Sequence, residues 1–123
     1  MSIGCVAVWV SDLERATRFY CEGLGLDVIA RVQTPDVHEV IVGRKGLGSQ
    51  LMLAHHVGQH GEVTPSGFWK TYLSTDDLTG DIAKAVAAGA TVVTRPDFMP
   101  QFNLTIAVLA DPDGYLLELG QLG

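Results

Sequence analysis

The chain has 123 residues, of which 47% are hydrophobic and 18% are charged, and this is typical of one globular domain. Eight basic and fourteen acidic residues give a formal net charge of −6 with no Lys/Arg cluster, which argues against nucleic acid as a partner. No apolar run approaches the roughly 20 residues that cross a bilayer. No signal-like segment opens the chain, so we expect a cytoplasmic protein without membrane attachment.

The first half of the chain predicts a strand, a helix and three further strands. The β-branched run IGCVAVWV stops at SDLE, where Ser11 is placed to cap a helix and Glu14 to reach back to the cap. This helix is expected to end at the glycines of EGLGL. Strand-length runs follow in LDVIARVQ, VHEVIVG and QLMLA, separated by a Thr-Pro-Asp turn and the Gly-rich RKGLGS. The polar segment HHVGQHGEVTPS, residues 55–66, is expected to be a loop.

The second half repeats this order. GFWKTYLST is strand-like, DDLTGDIAKAVAAG has helical spacing, and TVVTRP, NLTIAVLA and YLLELGQ follow as strands, the last two joined by an Asp-Pro-Asp-Gly turn. GSQLMLA at 48–54 also lies over GYLLELG at 114–120, with the glycine and both leucines in common. We therefore predict an α+β fold of two βαβββ modules in a single domain 1–123, with module 1 at 1–56, a linker at 57–66 and module 2 at 67–123.

Alternation along the strands assigns a set of side chains to the sheet face that carries no helix. Met52 and Glu118 are each flanked by two leucines that face the helices, so these two side chains point the other way. The same parity adds Cys5, Ala7, Trp9, Phe68, Lys70 and Tyr72. If the halves pair about a pseudo-twofold axis, their sheets curl into a cup with Cys5, Met52, Lys70 and Glu118 on its floor. Such an aromatic lining favours a planar or largely apolar small molecule.

Further candidate residues are expected around this cup. His38 is assigned to its wall. An apolar loop at the rim is expected to close over a ligand or to pack on a second subunit, and it consists of Phe98, Met99, Pro100 and Phe102. The histidines at 55, 56 and 60 are expected in a solvated loop rather than in a metal site. Cys21 is expected to be a buried small hydrophobe, and Cys5 either a packing residue or a thiolate ligand or nucleophile.

Two stretches, VSDLERATRFYCEGLGLDV at 10–28 and ADPDGYLLELGQ at 110–121, resemble the vicinal oxygen chelate superfamily. This superfamily includes glyoxalase I, the bleomycin-resistance proteins, the fosfomycin-resistance enzymes and the extradiol dioxygenases. The resemblance covers nearly the whole chain and implies paired βαβββ modules and a homodimer. It also implies a divalent metal at the cup centre, held by residues from the first and last strands of each module, commonly His and Glu. Those places hold Cys5, Met52, Lys70 and Glu118 here.

Only Glu118 matches the ligand type that the resemblance implies. We therefore expect no metal or other cofactor, and the alternative is a divalent metal held by Glu118 and Cys5. A lysine ammonium at the metal's place offers Glu118 a positive partner, which predicts an ion pair between Lys70 and Glu118.

Three functions remain open from the sequence. The first, which we favour, is a metal-independent protein that sequesters a planar or largely apolar small molecule. The second is a glyoxalase-like lyase or isomerase, or a dioxygenase-type enzyme, with Glu118 as general base and a divalent metal or Lys70 as electrophile. The third is an interaction module with a vestigial site. The candidate catalytic residues are Glu118 and Lys70, and the candidate ligand-binding residues are Cys5, Ala7, Trp9, Met52, Phe68, Tyr72, His38 and Phe102.

Overall fold

The structure is a computed structural model that describes residues 4–58, 61, 63, 66 and 68–123. Over these residues the chain follows the order βαβββ twice, as predicted. The strands are β1 (Cys5–Trp9), β2 (Asp27–Gln33), β3 (Val37–Arg44), β4 (Leu47–His56), β5 (Lys70–Ser74), β6 (Thr91–Met99), β7 (Leu104–Ala110) and β8 (Leu116–Leu122), and the α-helices are α1 (Leu13–Arg18) and α2 (Leu78–Ala87). None of the helices in this part of the chain is long and apolar enough to span a membrane.

The chain divides into two compact units, residues 1–63 and 64–123, and each contains one four-stranded sheet. The strand orders are β1-β4-β3-β2 in the first unit and β5-β8-β7-β6 in the second. In both sheets the first and last strands of the unit pair in parallel, and the other neighbours pair antiparallel. This shared order agrees with the α+β fold of duplicated modules. The module bounds at 56 and 67 and the union of both modules in one domain stay predictions.

One helix covers one face of each sheet. In the first unit α1 contacts β3 and β4, whose fully buried side chains include Val40, Val42 and Leu53. In the second unit α2 contacts β8, where Leu117 and Leu119 are buried. Burial of each such side chain contributes about 2 kcal/mol. Alternation therefore leaves the intervening residues of β4 and β8 on an open face.

The first helix begins one residue later than the sequence suggests. Ser11 was expected to be the cap, but Asp12 has the extended backbone of an N-cap and its side chain accepts from the Arg15 backbone N–H at 3.0 Å. Ser11 Oγ instead accepts from Arg15 Nη2 at 2.7 Å. The shift follows from β-sheet pairing, because the Val10 N–H still donates to Ala54 O. Beyond α1 a π-helical segment follows over Phe19–Gly23. The helical region ends at Gly25, as predicted.

Several strands are longer than their local composition indicates. β4 runs to His56, so His55 and His56 are strand residues and not part of the expected loop. The turn before β4 is reduced to Lys45 and Gly46, the latter at φ 73° where glycine is favoured. β6 includes Phe98 and Met99, and a 3₁₀ turn over Pro100–Phe102 follows, so the expected rim loop is mostly regular structure.

Candidate functional site

The open face of the first sheet carries β1 and β4 residues in register. Ala7 pairs with Met52 and Trp9 with Ala54 in the parallel ladder. The intervening Val8 is buried, whereas Trp9 is 49% exposed, as expected for opposite faces. Cys5, Ala7, Trp9 and Met52 therefore share the predicted face of their own sheet.

The open face of the second sheet carries Lys70 and Tyr72 on β5 and Glu118 on β8. Tyr72 is the register partner of Glu118, and Lys70 is two residues earlier on the same face. Val108 of β7 pairs with Glu118 from the other side. The predicted alternation therefore holds in both units. Convergence of the two faces on one cup stays a prediction.

Lys70 and Glu118 form the ion pair that the sequence predicts. Lys70 Nζ donates to Glu118 Oε1 at 2.6 Å, and the two side chains are only 23% and 16% exposed. Lys70 Nζ also lies 3.9 Å from the ring centroid of Trp69, which is 73% exposed. The ammonium is thus held between a carboxylate and an aromatic face, which both favour a positive charge.

Tyr72 extends its hydroxyl over a glycine next to this ion pair. A Cβ at Gly120 would clash with the Tyr72 hydroxyl oxygen and lie 3.0 Å from Cζ of the ring. Tyr72 is 49% exposed, so part of the ring is open to solvent. Sequence reasoning missed both Gly120 and Trp69. A glycine inside a strand does signal a close approach, and that signal could have identified Gly120.

Three predicted ligand-binding residues lie elsewhere. His38 is in register with His55 and shares the helix-covered face with Val40 and Val42, where it lines a depression with Leu13. This placement separates it from Met52. Phe68 precedes β5, and its ring centroid is 5.8 Å from that of the buried Tyr115, so the alternation of β5 does not extend to it. Phe102 is an exposed residue of the 3₁₀ turn.

The two described histidines of the predicted tract have local partners. His55 Nδ1 lies 3.0 Å from Val10 O and His56 Nδ1 lies 3.2 Å from Val57 O. The His56 ring centroid is 5.8 Å from that of Trp9. His60 falls outside the described residues. The tract as described supports no shared coordination by His55 and His56.

The donor set does not fit the divalent metal that the resemblance implies. Glu118 Oε1 is already bound by Lys70 Nζ, and an ammonium has no lone pair to donate to a metal. The two positions in the first unit hold the thiol of Cys5 and the thioether of Met52, which suit soft metals only. Within residues 4–58, 61, 63, 66 and 68–123, no group of three His, Cys, Asp or Glu side chains is arranged to hold a metal.

Both cysteines are free thiols of intermediate exposure. Burial raises the pKa of the Cys21 thiol, and the nearby Asp27 carboxylate raises it further, while Arg31 opposes them.

Because a raised pKa lowers the thiolate fraction at every pH below it, Cys21 is expected to react slowly with iodoacetamide near neutral pH. A Cys5→Ser variant leaves Cys21 as the only thiol in the chain. Its rate of alkylation should rise only above the pH at which a free cysteine model peptide begins to react. A rate profile that coincides with that of the peptide would contradict the assignment.

Residues 2–119 match the family described as the Glyoxalase/Bleomycin resistance protein/Dioxygenase superfamily. A probable lactoylglutathione lyase of Synechocystis is 28% identical over 116 residues, which are 91% of this chain and 88% of that protein. Glyoxalase I of Zea mays has the same fold, with a TM-score of 0.84 at 22% identity over 97% of this chain and 44% of that one. TnmS3, an antibiotic binding protein from a Streptomyces species, has a TM-score of 0.77 at 28% identity and covers 100% of this chain and 97% of its own. The chain thus spans most of two of these relatives and less than half of the maize chain.

Proposed function

Because the chain belongs to the Glyoxalase/Bleomycin resistance protein/Dioxygenase superfamily, we propose that it binds a planar or largely apolar small molecule without the help of a metal. The observation on which this proposal rests is the Lys70–Glu118 ion pair. A carboxylate bound by an ammonium at 2.6 Å is a poor metal ligand and a poor base, because either role requires that it first leave its partner. Sequestration requires neither role.

The surroundings of the ion pair support an apolar ligand. Ile106, Val108 and Leu116 alternate with buried residues on β7 and β8, and all three are partly exposed on the open face. Tyr72 adds an aromatic surface to the same face. Small-molecule sites are typically apolar with a few polar groups that orient the ligand. Here Lys70 and Glu118 are those polar groups. The likeness to an antibiotic binding protein along nearly the whole of both chains points in the same direction.

The second candidate function is a lyase of the lactoylglutathione type. It is favoured by the Synechocystis relative, which carries that name as probable. In this chain Glu118 would act as general base and Lys70 as the electrophile that stabilises a developing oxyanion. The ion pair must then open during turnover, and for this reason we rank this function second. A cytoplasmic homodimer is the assembly we propose for either function.

Fluorescence of Trp9 tests the first function. The chain has two tryptophans, so a Trp69→Phe variant reports on Trp9 alone. After treatment with EDTA, this variant is expected to show saturable quenching by at least one member of a panel of fused-ring aromatic compounds, because Trp9 is half exposed on the open face. The Trp9→Phe variant, with Trp69 as its only tryptophan, reports on the same compounds beside Lys70. Free N-acetyltryptophanamide is the control for non-specific quenching of an exposed indole.

Two results would count against this function. The first is a flat response of both single-tryptophan variants across the whole panel. The second is near-stoichiometric Ni, Zn, Fe or Mn in untagged purified protein, together with lyase activity that EDTA abolishes. The latter result would establish the second candidate instead.

A further inference from the structure

We infer that Gly120 determines ligand specificity, because it leaves room for the Tyr72 hydroxyl over β8 and so positions the ring as the stacking wall of a hollow for a two- or three-ring aromatic molecule with a hydrogen-bond donor. This inference rests on the proposed small-molecule binding function and assigns the chemical class of the ligand. The hollow lies entirely within residues 64–123 and has a volume of about 340 Å³.

The position of the Tyr72 ring depends on the missing side chain at Gly120. A Cβ there would clash with the Tyr72 hydroxyl oxygen and lie 3.0 Å from Cζ and 3.3 Å from Cε2. A carbon atom and a non-bonded hydroxyl oxygen do not approach so closely, so any other residue would force the tyrosine side chain to move away from the strand. The strand itself cannot yield easily, because Gly120 O accepts from the Thr75 N–H at 2.9 Å and Gly120 pairs with Ser74 and Ile106.

The hollow beside the ring has a mixed lining of apolar and polar side chains. Tyr72, Leu104 and Leu122 supply the apolar surface, and the polar groups belong to Ser74, Thr75, Asp76 and Gln121. A volume of about 340 Å³ lies at the lower end of the range for small-molecule sites, which suits a compact fused-ring compound. An open aromatic face favours offset stacking of a planar ring over contact with a saturated one.

Asp76 determines which polar group the ligand should carry. Among its acidic neighbours, Asp77 accepts from the Gly80 N–H and Asp81 accepts from the Thr75 hydroxyl. The Asp76 carboxylate has no hydrogen-bond partner in the part of the chain that the structure describes. An ionised carboxylate can only accept, so the ligand should present a hydroxyl or N–H donor to Asp76.

Calorimetric titration with 2-naphthol, compared with the saturated decahydro-2-naphthol, tests the stacking wall. The wild-type protein should bind 2-naphthol at least about tenfold more tightly than the saturated compound, and Gly120→Ala should remove most of that preference. Gly4→Ala is the matched control, because a Cβ at Gly4 meets nothing within 4 Å. In a Tyr72→Ala background, Gly120→Ala should have no further effect on affinity, since its influence acts through the ring.

The outcomes separate this inference from the proposed function. If the wild-type protein binds both compounds equally and Gly120→Ala changes neither affinity, the stacking wall is refuted while small-molecule binding stands. If no planar compound binds the wild-type protein at all, both fail. 2-Methoxynaphthalene, which has no hydroxyl donor, tests the need for a donor on the ligand. It should bind to the wild type more weakly than 2-naphthol does, and the two compounds should bind equally well to Asp76→Ala. An unchanged difference in that variant would remove the donor from the assigned ligand class.

Discussion

Replacement of Lys70 by methionine is expected to lower the free energy of unfolding by about 2 kcal/mol. The two side chains of the ion pair are mostly buried, with 23% and 16% exposed, so Glu118 would remain desolvated without its positive partner. Complete burial would make the loss larger, and full exposure would reduce it to less than about 1 kcal/mol. Urea unfolding followed by circular dichroism measures the effect as a shift of the midpoint at constant slope.

The control for this prediction is a second lysine on the same unit. Lys84 lies on the exposed side of α2, so Lys84→Met should change the stability by less than about 0.5 kcal/mol. The double variant Lys70→Met with Glu118→Leu should recover much of the loss, because it replaces both charges by apolar groups. Equal urea midpoints for the wild type and Lys70→Met would show that the ion pair with Glu118 does not stabilise the folded protein in solution.

The duplicated βαβββ order and the Lys70–Glu118 pair could be predicted for the same physical reason. In β8 Leu117 and Leu119 need the helix-covered face, so Glu118 between them has no choice of side. The Asp-Pro-Asp-Gly turn indicates where this strand begins. The matched leucines at 51 and 53 identify the equivalent strand in the first half. Where one face is strongly apolar, the alternation in a strand specifies its register.

The errors in the sequence-based prediction occur where this alternation is weak or where a partner strand decides. VHEVIVG has apolar residues at both parities, so the sequence could not show that the face shared by His38 and Val40 is the one that the helix covers. β4 continues past Ala54 because His55 and His56 pair with His38 and Val37, although the local composition indicates a loop. Likewise Phe98 and Met99 join β6 by pairing with β7. Pairing between strands outweighs local propensity in each case.

The hollow beside Tyr72 could not be predicted from alternation alone. Parity gives the face of a side chain but not its lateral position on that face. Gly120 controls that position, since its missing Cβ lets the ring of Tyr72 cross over β8. A glycine in the interior of a strand is a signal that can be searched for before a structure exists.

Replacement of Asp111 by alanine is expected to lower the free energy of unfolding by about 3 kcal/mol. Asp111 is 5% exposed, and its Oδ1 accepts from the Asp113 N–H at 2.8 Å and the Tyr115 N–H at 2.9 Å. Its own N–H donates to Tyr115 O at 2.8 Å, so this one residue organises the turn between β7 and β8. Alanine removes the side-chain acceptor of both N–H groups, and the loss of a buried hydrogen bond such as that of the Tyr115 N–H is costly.

Asparagine at the same position separates the loss of hydrogen bonds from the loss of charge. Asp111→Asn keeps an acceptor oxygen for the two N–H groups, so it should lose roughly half as much stability as Asp111→Ala. Asp97, an exposed acid on β6, provides the control, and Asp97→Ala should change stability by less than about 0.5 kcal/mol. Because this turn also sets the register that brings Glu118 opposite Val108, Asp111→Ala should weaken ligand binding as well as stability. A stable Asp111→Ala variant with unchanged affinity would mean that strand pairing alone holds β8 in place.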